Sequence, residues 1–484
     1  MYDFTIIGSG AGGSAAALEL LKNGYSVEIH EEGIEYKNQS NTMMKGLMNL
    51  WRNNGINLFN GNPILNYGEG KCVGGSTVIN GGVIDNTRDN TLKNWDKTLN
   101  ENFFSVNDFL DICLDIKDIL VPKNQINDPM LRSASSDILI NAAKKKNLLS
   151  KHTNLAFKNL NVHHNSPFGC KEGNKNSLDK NYHKFIKDLG GEIISQSKVI
   201  KLFKKGNIVD KILTENPKSK EKKIIKIKNL ILSGGPTQSP KLILKNNLTS
   251  SVNNLNFHMN IKVLAFYEHE INSYRSSLLT HHIREFENEG VLFMASNYIK
   301  PLIASYLNFQ SSYKIKELLN DYKNGTVFNC QIQPDFSVAK ITKSKLYNDI
   351  NINWKLDDMD FFKIKKHIKM LIELSFLSGA KKILLPIENA SEIFYEIDKA
   401  LKRIDNLNKK DIEITSVHSM SSCSLNNKEK NFIDKFAKIK NFKNVHVMDA
   451  SVLPTNTGQH PQLTIMAMVT KLIRKNIENK KFFV

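Results

Sequence analysis

Apolar and polar positions change period along the chain, and each change marks an element. Asp3-Phe4-Thr5-Ile6-Ile7 is a short apolar run ended by glycines, which predicts a buried strand; Tyr25-Ser26-Val27-Glu28-Ile29-His30 predicts a second. The Ala/Leu-rich stretch between them has helical composition and closes on Asn23-Gly24. Helical spacing returns at residues 108–118 and 132–146, with Ser133 or Ser135 as candidate caps. Residues 192–203, 208–214 and 223–233 alternate or run β-branched and predict strands, with Pro217-Lys218-Ser219-Lys220 as a hairpin tip. A short helix is predicted at 237–245, strands at 262–267, 291–295 and 326–333, and amphipathic helices at 359–377 and 390–404. Near the end, Val445 to Asp449 predicts a strand, and Pro461 opens a helix whose Ile465, Met466, Val469, Leu472 and Ile473 share one face.

The turn after the first strand carries chemistry. Gly8, Gly10 and Gly13 have the spacing in which the first glycine permits a tight turn, the second lets the backbone approach a pyrophosphate, and the third lets helix pack on strand. The helix starting near Gly12 directs its positive dipole end at those oxygens. Glu31, ~20 residues on, can accept hydrogen bonds from both hydroxyls of an adenosine ribose. Strand, glycine turn, helix, strand and acid in this order predict a dinucleotide site and leave FAD and NAD open. A second cluster, Gly68 to Gly82, is too rich in glycine for a helix or strand interior and predicts close passage of backbone past a ligand.

Composition changes the picture only in part. With 484 residues, the chain exceeds one core and predicts two domains, with their interleaving left open. The formal charge of +19 raises a polyanion partner, but the lysines are spread among Asn and Ile without a nucleic-acid module, so no nucleic-acid binding is expected. Five scattered cysteines without ligand spacing predict neither disulfides nor a metal site. No apolar run approaches the ~20 residues of a membrane span, which leaves peripheral membrane contact open. No basic segment and apolar stretch precede the first strand, so no secretory leader is expected, and a cytoplasmic location follows.

Three further segments carry a family resemblance. Gly70 to Asn80, Gly235 to Leu244, and the C-terminal set of His418 to Cys423, Asp449 to Pro454 and Gly458 to Thr464 resemble the signatures of the glucose-methanol-choline (GMC) flavin oxidoreductases. The second signature departs at Asn246-Asn247, where the family usually has Ser-Gly. The resemblance implies an α/β fold in which a Rossmann-like, doubly wound FAD-binding domain is interleaved with a substrate domain built on an antiparallel sheet. The implied division is 1–92, 165–256 and 412–484 for the FAD domain, 93–164 for a substrate or cap region, and 257–411 for the substrate domain.

By the same resemblance the cofactor is FAD. Gly74, Gly75, Ser76 and Asn80 would lie beside the flavin and ribityl chain, Asp449 and Ala450 at the ribityl and pyrophosphate end, and Val199 and Gly234 near adenine. The helix at Pro461 would face the pyrimidine edge of the flavin. Positions 74–82 contain no histidine for covalent attachment, so non-covalent FAD is expected. Oxidising an alcohol requires a base for the hydroxyl proton while hydride goes to flavin N5. His418 is expected to be that base and His460 to bind the substrate oxygen, with the roles exchangeable. His163, His164, His281 and His282 are expected to be structural, and Cys423 to serve packing. The small-molecule alcohol or sugar substrate and the electron acceptor stay open, with a dehydrogenase favoured over an oxidase. A lyase-like enzyme on the same fold and a flavoprotein that binds without turnover are the alternatives.

Overall fold

In the computed structural model of the chain, the described residues are 1–36, 43–99, 105–123, 133–158, 166–170, 173–275, 279–296, 316, 318–344, 349–387, 393–426 and 431–482. Two sheets organise them. The first is a five-stranded parallel sheet in the order Val445–Val447, Asn229–Leu232, Phe4–Ile7, Val27–His30, Glu192–Ile194. Every residue of Phe4–Ile7, Val27–His30 and Asn229–Leu232 is buried, as continuous apolar runs covered on both faces must be. The helices Ala11–Lys22 and Gln462–Glu478 pack on each other and share this core with Trp95 and Phe109. Asn23 caps the first helix at its C-terminus, and Gly24 follows with φ +83°.

Two predicted strands are each divided in two. Glu192–Ile194 joins the parallel sheet, and the chain then turns at Gln196 (φ 52°) into Lys198–Lys205, the first strand of an antiparallel meander with Ile208–Glu215 and Lys222–Lys226. The third run divides likewise, and Asn229–Leu232 returns to the parallel sheet. Periodicity could not place these breaks, because β-branched residues stand on both sides of each.

The second sheet has ten strands and is antiparallel except where Ile414–Ser416 runs beside Leu65–Tyr67. Its centre is Met259–Phe266, Gly325–Ile332 and Val291–Ser296. Register assigns its two faces. Ile261, Cys330, Phe293 and Ile283 form one cross-strand row, and Val263, Phe328 and Ala295 another. These rows are apolar, and the helix Asp358–Leu377 covers them with Ile364, Ile368, Leu371 and Ile372. The opposite face carries the rows Thr415, Asn260, Gln331, Leu292 and Lys262, Asn329, Met294, His282.

The strands Asn57–Phe59 and Leu65–Tyr67 belong to this second sheet although they lie within the first FAD-domain segment read from sequence. The helices Asp89–Leu99 and Val106–Leu120 pack into the parallel-sheet core although most of them lies in the 93–164 cap segment. Among the described residues, the amphipathic pattern at 390–404 yields a helix from Ile397 to Asp405. Ile393–Phe394 instead pairs with Ile383–Leu384, where satisfying an open strand edge outweighs helical spacing.

Candidate active site

One cavity of ≈ 590 Å³ lies between the two sheets. Its wall includes Gly8, Gly10, Glu31, Gly75, Ser76, Asn80, Val199, Gly234, Asp449, Ala450, His418, His460 and Pro461. Thirteen of the fifteen residues singled out from sequence thus face one space, and Gly13 and Gly74 stand behind it. Gly13 is needed for packing, since a Cβ there would lie 1.9 Å from the Gly8 carbonyl oxygen. Gly74 has φ +95° and donates its N–H to Ser9 Oγ at 3.0 Å. Gly10 differs from both, because the nearest atom to a Cβ there is 3.9 Å away and the space belongs to the cavity.

Three helices begin on this cavity, at Ala11, Gly235 and Gln462, and Gly10, Gly234 and Pro461 are their N-caps. Free N–H groups and positive dipole ends of this kind suit an anionic diphosphate. Glu31 is buried, and its carboxylate accepts from Ser9 N and Ser9 Oγ, both at 3.0 Å, and from Gly33 N at 2.9 Å. Burial raises its carboxyl, and the hydrogen bonds from Gly33 and Ser9 oppose that rise. A carboxylate offers about four acceptor sites, so one ribose hydroxyl fits where the sequence predicted two. Asp449 accepts from Gly235 N at 2.8 Å and Ser451 N at 2.8 Å, tying the last parallel strand to the helix at Gly235. These groups fit an FAD cradle.

Around the second glycine cluster, Asn80 bridges two elements. Its Nδ2 donates to Gln462 Oε1 at 2.6 Å and its Oδ1 accepts from Gly82 N at 2.9 Å. Lys175, unmarked by any sequence signal, lies beneath this loop and donates from Nζ to the carbonyls of Val78 at 3.0 Å and Asn80 at 2.5 Å. Burial drives its ammonium down to about 7.

His418 and His460 meet edge to face, with ring centroids 5.1 Å apart. Two further histidines join them. His258 Nδ1 lies 3.1 Å from His418 Nδ1, and the His282 ring stacks on His460 at 5.0 Å and 14°. His282 Nδ1 is 3.4 Å from Asp85 Oδ2, and Arg284 pairs with the same oxygen at 2.9 Å. Burial raises the Asp85 carboxyl, but His282 and Arg284 outweigh it and hold it low. His282 is fully buried between Asp85 and His460, in the cross-strand row of Lys262 and Met294. His281 faces the other way and packs at a tilt against His152. His163 and His164 lie outside the described residues. Asp85, His282 and His460 offer three ligand atoms within 4.8 Å of one another, but a cation would have to displace Arg284. His258, His282, Asp85 and Arg284 were missed because only strand pairing brings them together.

Burial pushes His418 down to about 4 and holds His258 and His460 well below the ordinary histidine value. His183, between Ser14 and Ser9 under the glycine turn, falls to about 4, and His446 in the parallel sheet to about 3. Unfolded histidine titrates near ~6.5, so the unfolded chain takes up these protons first as pH falls. Their stabilisation is complete above about pH 6.5 and declines toward the folded values, by about 2 kcal/mol per ring at pH 5. The holoprotein is expected to unfold at progressively lower temperature from pH 6.5 to 5. A midpoint flat over that range would contradict the assignment. All five cysteines are buried and none forms a disulfide with another, Cys423 among them.

The pattern described as GMC oxidoreductase matches residues 2–260 and again 338–468. An uncharacterised GMC-type oxidoreductase of Sinorhizobium fredii is 23% identical, over 97% of this chain and 93% of its own. A long-chain-alcohol oxidase of Arabidopsis thaliana is 21% identical, over 96% of this chain and 66% of its own. Among solved structures, pyridoxine 4-oxidase from Mesorbium loti aligns with a TM-score of 0.72 at 12% identity, over 99% of both chains. An Aspergillus oryzae formate oxidase variant aligns at 0.75 and 14%, over 99% of this chain and 98% of its own. These two likenesses establish the shared fold.

Proposed function

The chain belongs to the GMC oxidoreductase family, and from that premise we propose that it oxidises the CH–OH group of an alcohol, with FAD as cofactor and His418 as the base. The observation that most supports this reading is that His418 and His460 meet on the wall of the same cavity as Gly8, Gly10 and Glu31. Bound there, FAD supplies the acceptor for the hydride leaving the carbinol carbon.

The chain's own residues handle the proton. Two neutral imidazoles with Nδ1 atoms 3.1 Å apart share one N–H, so one donates and the other accepts. When His418 donates to His258, the Nε2 of His418 carries a lone pair and takes the hydroxyl proton. His258 thus holds His418 in its basic tautomer. His460 binds the substrate oxygen and stabilises developing negative charge. His282, anchored by Asp85, fixes the plane of His460.

Alcohols added anaerobically to the holoprotein should bleach the oxidised flavin band. Failure of every alcohol tried would favour the lyase-like or non-turnover readings. Admitting oxygen afterwards tests the acceptor, with slow return of the band expected of a dehydrogenase. We hold the FAD to be non-covalent, because residues 74–82 offer no histidine for attachment. Acid precipitation should leave a colourless pellet and a yellow supernatant, whereas a yellow pellet would sink this. Five buried thiols, none in a disulfide, support a reducing compartment such as the cytoplasm.

A further inference from the structure

We propose that the alcohol carries an anionic group, a carboxylate or a phosphate, received by Lys262 and Asn260 on the cavity face of the antiparallel sheet. This rests on the alcohol-oxidising reading above and names the class of substrate.

The wall that faces the substrate side is polar where a pocket for an alkyl chain would be apolar. Strand register sets Asn260, Gln331, Lys262 and Asn329 as a block of adjacent side chains on one face, and all four line the cavity. Lys262 Nζ donates to Thr415 Oγ1 at 2.9 Å, a contact that holds the ammonium against this wall. Asn260 is 7% exposed, and its Nδ2 has no hydrogen-bond partner among the described residues. A buried amide donor without an acceptor costs roughly 1–3 kcal/mol, a loss that a ligand oxygen removes. Docking an alkyl chain here would strip water from a cation and three amides without replacing it. The acids on the cavity wall are engaged elsewhere: Glu31 by Ser9 and Gly33, Glu32 and Glu69 by Arg52, Asp449 by Gly235, Asp349 by Lys241. Glu413 borders a small cleft beside Lys262, and an incoming anion must compete with it.

The strand also measures the substrate. His258, beside the proposed base, and Lys262 lie four residues apart on one extended segment, roughly 13 Å at the usual rise. A flexible lysine reaches back over part of that distance. The reacting carbinol and the anion are therefore separated by a few bonds, as in an ω-hydroxy acid or a polyol phosphate.

The test uses anaerobic holoprotein and reads flavin bleaching. ω-Hydroxy carboxylates are compared with the matching α,ω-diols, and glycerol phosphate with glycerol, so the arms separate carboxylate from phosphate. The anionic member should be favoured in rate over affinity by about ten- to a hundredfold, as for a charge-assisted hydrogen bond. In Lys262→Met the ratio should collapse toward one, and Lys262→Arg should restore most of it. Equal or better use of the neutral member, or an unchanged ratio in Lys262→Met, overturns the proposal. Butyrate and inorganic phosphate supply a second readout, as perturbation of the flavin spectrum on binding. If no alcohol bleaches the flavin but these anions bind and Lys262→Met weakens them about tenfold, the oxidation reading fails and the anion site stands. If neutral alcohols bleach it and the anions do not bind, the anion site fails alone. If neither occurs, both fall.

Discussion

A His418→Ala holoprotein is expected to keep its flavin spectrum while losing alcohol-driven flavin bleaching by about 10²- to 10⁴-fold, the usual contribution of a positioned base. Desolvation holds His418 down to about 4, so at neutral pH it is unprotonated and competent. The sign of its pH dependence follows: the wild-type rate should fall on the acid side near that value and not near the ordinary histidine range. His258→Ala should give a smaller loss, because the substrate proton still has an acceptor but the tautomer is no longer enforced. A His418→Ala rate within a fewfold of wild type would remove His418 as the base. If His460→Ala alone abolished bleaching, the two roles would be exchanged.

The second large effect separates two glycines that look alike in sequence. Gly13→Ala places a methyl 1.9 Å from the Gly8 carbonyl oxygen, a backbone atom at the centre of the parallel sheet, so folding itself should fail. Gly10→Ala meets nothing nearer than 3.9 Å, so the apoprotein should fold. Its methyl, however, stands in the cavity where backbone must approach the pyrophosphate. The expected pair of results is insoluble or unfolded Gly13→Ala, and soluble, colourless Gly10→Ala with a near-wild-type circular dichroism spectrum. A yellow Gly10→Ala protein with full FAD content would contradict the assignment of this cavity to the cofactor.

The adenosine grip was legible because it is local: strand, turn, helix and acid follow one another within residues 4–31, and the spacing itself states the geometry. The C-terminal histidines were legible only through family resemblance, since nothing in the pattern around His418 or His460 differs from a core histidine. The rest of the site lies on strands that meet across long sequence separations. His282 comes to lie behind His460 because it opposes Met294, which opposes Asn329, which opposes Lys262. Shift any of those pairings by one residue and His281 would take its place. Alternation fixes which residues share a face within one strand but not which strand lies beside it. For the same reason the breaks near Gln196 and Ile227 were invisible: both halves of each run are β-branched, and only their partners differ.

The order of strands in the parallel sheet has a consequence for the chain while it is being made. Asn229–Leu232 is fully buried and takes its second neighbour from Val445–Val447. Until the ribosome has released that distant segment, an apolar strand presents an unpaired edge through the synthesis of some two hundred residues. Asp449, which ties the cradle together, and His460 arrive just after that strand. A nascent or truncated chain ending before residue 445 is therefore sticky and unable to hold its cofactor, and cofactor capture becomes the event that marks a finished molecule.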